Sequence, residues 1–78
     1  MKTKTKYLVE EYFNRLDDEV RYYFNMNNID EVNYEVEDVI KNECECYRII
    51  ICELQPNNHY KTIRTYRKNK KGEWKVGR

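Results

Sequence analysis

The longest stretch of the chain that is apolar on both alternating sides runs from Cys44 to Leu54. One side carries Cys44, Cys46, Arg48, Ile50, Cys52 and Leu54, and the other Glu45, Tyr47, Ile49, Ile51 and Glu53. Two apolar sides over so short a run predict a central β-strand with something packed on it. From Lys6 to about Met26, Val9, Phe13, Leu16, Val20, Tyr23 and Phe24 recur at intervals of three and four, which predicts an amphipathic helix about 30 Å long. Residues 31–40 alternate Val32, Tyr34 and Val36 against Asn33, Glu35 and Glu37. Val36, Val39 and Ile40 also fit helical spacing, but the β-branched content favours a half-buried strand with an acidic side.

Downstream, the run Gln55, Pro56, Asn57, Asn58 predicts a turn, and residues 59–68 alternate again as a strand. Asn69, Lys70, Lys71 and Gly72 form a hairpin loop, with Gly72 free to take positive φ, before a short last strand over residues 73–76. The predicted fold is a single α+β domain spanning residues 1–78. One N-terminal helix packs on a four-stranded antiparallel sheet in the order α-β-β-β-β, a meander. A single helix covers one side of a sheet, so the other side, carrying Ile49 and Ile51 or their counterparts, is a candidate homodimer interface.

Seventy-eight residues leave room for one small core, and a core of that size is helped by partners that bury more surface. Charged residues make up 37% and the mean hydropathy is −1.09, yet hydrophobic residues still reach 40%, a very polar but folding composition. No stretch approaches a membrane span, residues 1–6 lack the apolar run of a secretory signal, and three cysteines fit reduced thiols. Cytoplasmic residence with no membrane partner is the expectation, in a host cell if the gene is carried by a phage.

The net charge of +1 hides a segregation. Residues 1–6 hold three lysines, residues 7–55 hold four basic and thirteen acidic side chains, and residues 56–78 hold eight basic and one acidic. Carboxylates spread over a small body fit a basic groove built for phosphates, so Glu10, Glu11, Asp17, Asp18, Glu35 and Glu37 are the candidate protein-binding residues. In the C-terminal segment, Lys61, Arg64, Arg67, Lys70 and Lys71 with Trp74 combine cations with rings, as nucleic-acid binding requires. Cys44, Cys46, Cys52 and His59 lack metal-knuckle spacing, and no nucleophile and base stand in a catalytic pattern. The residues therefore predict a protein that is not an enzyme and takes no cofactor.

In size, composition and charge layout the chain resembles the small phage-encoded anti-defence proteins, anti-CRISPR inhibitors included. That resemblance implies an inhibitor that occupies the basic surface of a nucleic-acid-handling protein as a nucleic-acid mimic. Direct nucleic-acid binding through the basic hairpin is the rival expectation, and a homodimeric structural protein the third.

Overall fold

A computed structural model of the chain describes residues 5–13 and 21–77. Among these residues there are five strands and one helix: β1 (Tyr7–Phe13), β2 (Arg21–Met26), α1 (Ile29–Asn42), β3 (Cys46–Leu54), β4 (Tyr60–Lys68) and β5 (Trp74–Gly77). All five strands join one antiparallel sheet in the order β2-β1-β3-β4-β5. Both β2 and β3 run antiparallel to β1, so they run in the same direction on either side of it. Linking two such strands requires a passage over the sheet, and α1 makes it.

The α+β class holds, but two predicted elements exchange identity. The segment expected as the N-terminal helix over residues 6–26 supplies β1 and β2, its residues 14–20 lying outside those described. The segment expected as the first strand is α1, so the sheet has five strands rather than four. The predicted meander survives as β3-β4-β5. Its turns are as read: Gln55 N–H donates to His59 O at 2.8 Å across the first, and Gly72 takes φ 85° in the second.

Local physics explains α1. Asn28, with extended backbone, caps it by accepting from Asp30 N–H at 2.7 Å. Asp30 and Glu31 sit in the first turn and Lys41 in the last, each complementing the helix dipole. Val32, Val36 and Val39 form the stripe that faces the sheet, all at most 2% exposed.

Register fixes which side of the sheet lies under α1. Tyr7, Val9 and Glu11 of β1 pair with Glu53, Ile51 and Ile49 of β3, and Val9, Ile49 and Ile51 are fully buried with the valines of α1. α1 covers Ile49 and Ile51, so the side left without a helix is that of their counterparts. The β3 residues facing away from α1 are Arg48, Ile50, Cys52 and Leu54. Two register shifts re-aim side chains: one at Tyr47 puts Cys46 under the helix, and one in β4 leaves Ile63 packed on the core beside Arg64.

Candidate functional site: two oppositely charged faces

The acidic candidates do not form one surface. Glu10 lies on the sheet face turned away from α1, where it accepts from Tyr12 Oη–H at 3.1 Å. Glu11 points the other way, under α1, and is 2% exposed. Glu35 of α1 shares a side-chain hydrogen bond with it, and Glu37 is exposed on the outside of the helix. Asp17 and Asp18 lie outside the described residues.

Burial raises the Glu11 carboxyl to about 8, helped by the hydrogen bond it donates to Glu35 and by the charges of Glu35, Glu43 and Asp38. At neutral pH Glu11 therefore keeps its proton, and its Oε2 has no hydrogen-bond partner. Burial likewise pushes the Cys46 thiol, on the same side of the sheet, up to about 11. This is a carboxyl pair joining helix to sheet, Glu11 buried and Glu35 half-buried, a clamp on α1 rather than a site open to substrate.

What the fold builds instead is an acidic outer face on α1. Tyr34 is 74% exposed there, and its helical neighbours at i−4, i−3, i+3 and i+4 are Asp30, Glu31, Glu37 and Asp38, all exposed. Glu43 and Glu45, also exposed, follow the helix. Tyr34, Glu37, Asp38, Lys41 and Asn42 line an open groove of about 420 Å³. The sequence pattern missed this face because the alternation of Val32, Tyr34 and Val36 put Tyr34 in the core.

The basic candidates are also divided. Arg64 lies on the α1 side, its Nη1 donating to Asn33 Oδ1 and Tyr66 Oη, each at 3.0 Å, which ties β4 to the helix. Trp74 packs against the core on that same side, with Lys68 Nζ 5.4 Å from its ring centroid. Lys61, exposed, stands opposite Glu53 in the register. Lys70 and Lys71 are exposed at the tip of the β4-β5 turn, and Arg67 is exposed on the face away from α1.

On that face a row of cations crosses three strands. Arg48 of β3 pairs with Arg67 of β4, and Arg67 pairs with Lys75 of β5. The Arg48 guanidinium lies 4.1 Å from the ring centroid of Tyr12, its register partner in β1. Arg48 was missed as a candidate because it stands inside the most apolar run of the chain.

Among the described residues, no group of three or more His, Cys, Asp or Glu side chains is placed to hold a metal ion. Cys46 and Cys52 face opposite sides of the sheet, so the strand does not bring them together. No helix of the described residues is long and apolar enough to cross a membrane. The chain is thus a small α+β protein whose sheet carries an acidic helix on one side and a basic row on the other. Comparison with protein-family models, with curated proteins and with solved structures returns no match.

Proposed function

We propose that this chain is a non-enzymatic binding protein that uses the outer face of α1 to occupy a basic, phosphate-accepting surface on a nucleic-acid-handling protein. It would act there as an inhibitor, as in the small phage-encoded anti-defence proteins that its size and charge layout resemble. Such a partner puts the site of action in the cytoplasm.

One observation carries the reading: Tyr34 is three-quarters exposed, and all four of its helical neighbours are carboxylates. Val32, Val36 and Val39 already supply the stripe that holds α1 to the sheet, so folding does not require a ring at position 34. Nor does folding account for all the acids. Asp30 and Glu31 stabilise the first turn, and Asp38 accepts from Asn42 Nδ2 at 2.9 Å, but Glu37 and Asp38 also sit in the C-terminal half of the helix, where the dipole disfavours negative charge. A rigid aromatic surrounded by like charge suits an interface anchor, with the carboxylates supplying attraction and orientation. The helix spans roughly 21 Å, at 1.5 Å per residue, enough to lie along several phosphate positions of a nucleic-acid groove.

The test is affinity capture from nuclease-treated host lysate, with the wild type and two variants as bait. A partner held by the wild type and lost by both Tyr34→Ala and the double variant Glu37→Lys/Asp38→Lys supports the reading. The same partner retained by both variants overturns it.

A further inference from the structure

We infer that the sheet face turned away from α1 is a second binding site, taking the phosphate backbone of a single-stranded nucleic acid along the row Arg48–Arg67–Lys75. This does not depend on the role of α1, because the residues lie on the opposite side of the sheet.

The register carries the argument. Arg48 and Arg67 are direct cross-strand partners, and so are Arg67 and Lys75. Like charges directly opposite one another destabilise a sheet. Lysine on an exposed edge strand protects against edge-to-edge pairing, and that explains Lys75 on β5. It does not explain Arg67 on β4, which has a strand on either side, or Arg48 in the middle strand of the sheet. Nor do local anions relieve the row: among the described residues no carboxylate pairs with Arg67 or Lys75, and both are exposed. The Arg48 guanidinium rests on the Tyr12 ring with a buried Nε that has no hydrogen-bond partner. A cation row that costs stability, with no carboxylate beside Arg67 or Lys75, is what an anionic guest would resolve.

Shape and neighbours choose the guest. Adjacent strands are about 4.8 Å apart, so the row spans roughly 10 Å and presents charge along a line, which matches a backbone better than a compact anion. Lys70 and Lys71, in the turn that joins β4 to β5, add positive potential near Arg67 and Lys75. Tyr23, 51% exposed, follows on the same face from β2, where its register partner is Glu10. An exposed ring on the face of a cation row is the pairing that single-strand binding uses, because an unpaired base stacks on the ring while phosphates meet the cations. A duplex hides its bases and has no use for the ring.

The experiment is fluorescence anisotropy of a labelled oligothymidylate with the full chain and with the double variant Arg67→Glu/Lys75→Glu. Both side chains are exposed, so the fold is retained, and far-ultraviolet circular dichroism checks it. The expected result is a loss of affinity of about tenfold or more, with the log–log salt slope smaller by about two. Tyr34→Ala should bind the oligonucleotide like the wild type, so failure of the α1 reading leaves this result unaffected. The same affinity in the charge-reversed variant overturns the site. A labelled duplex, or polyphosphate, binding as tightly as the oligothymidylate overturns the single-strand assignment.

Discussion

At the scale of single residues, Glu11 is the most constrained group. Its carboxyl is under a helix, raised from an ordinary 4.5 to about 8, with Glu35, Asp38 and Glu43 adding negative potential around it. The sign of its effect on stability follows from linkage. An acid whose folded value is raised contributes fully below its unfolded value, and loses that contribution as pH rises through the folded one. Glu11 therefore favours the fold below about 4.5, favours it progressively less between 4.5 and 8, and levels off above. Urea unfolding across that range should show this decline in the wild type. Glu11→Gln, which keeps a donor and cannot ionise, should remove it and be more stable at pH 8 by on the order of 2 kcal/mol. Parallel pH profiles for the two proteins would remove Glu11 as the titrating group. The sequence marked Glu11 and Glu35 as acids of a binding surface; their meeting under α1 was not legible, since one comes from a strand and the other from a helix 24 positions later.

At the scale of elements, α1 and β1 show how a periodicity can mislead. The valines at 32, 36 and 39 fit one helix face, while Val32, Tyr34 and Val36 fit one strand face equally well, and β-branching points to the strand. The start signal decides it: Asn28 accepts from Asp30 N–H, and the two acids that follow suit a helix N-terminus. Replacing Asn28 with Ala should cost about 1 kcal/mol, read as a lower melting temperature with the oligonucleotide affinity unchanged. The opposite error occurs in β1. Tyr7, Val9 and Phe13 face α1 while Leu8 and Tyr12 face away, so the strand lacks clean alternation, and its apolar residues also fall at helical intervals. It pairs with β2 and β3 on either side, and it carries apolar side chains on both faces, with Tyr12 buried on the face away from α1.

At the scale of the whole molecule, one small core holds two charged surfaces apart. Val9, Ile49 and Ile51 from the sheet meet Val32, Val36 and Val39 from the helix, and among the described residues little else but Cys46 is fully buried. Ile51→Ala should therefore cost about 2–5 kcal/mol, because the cavity would lie where helix and sheet meet. Differential scanning calorimetry should show a fall of at least about 10 °C for a chain of this size. A much smaller fall would mean that α1 is not seated on β3 as described. The charge segregation read along the chain survives in space, though with different members. The acids gather on α1 around Tyr34, and the cation row recruits Arg48 from the acidic half of the sequence.

The sequence by itself determined the three-strand meander from β3 to β5, its two turns, and the presence of one acidic and one basic region. Those features rest on neighbours in the chain: alternation within a strand, Pro and Asn at one bend, Gly72 at the other, and local charge density. Tertiary structure decided which of the first two segments is helix and which strand, which side of β3 is covered, and which charges share a face. Those outcomes depend on pairing partners far away in sequence. Period and propensity were nearly balanced in residues 6–40, so the cap at Asn28 and the pairing of β1 with a strand on either side settled what local pattern left open.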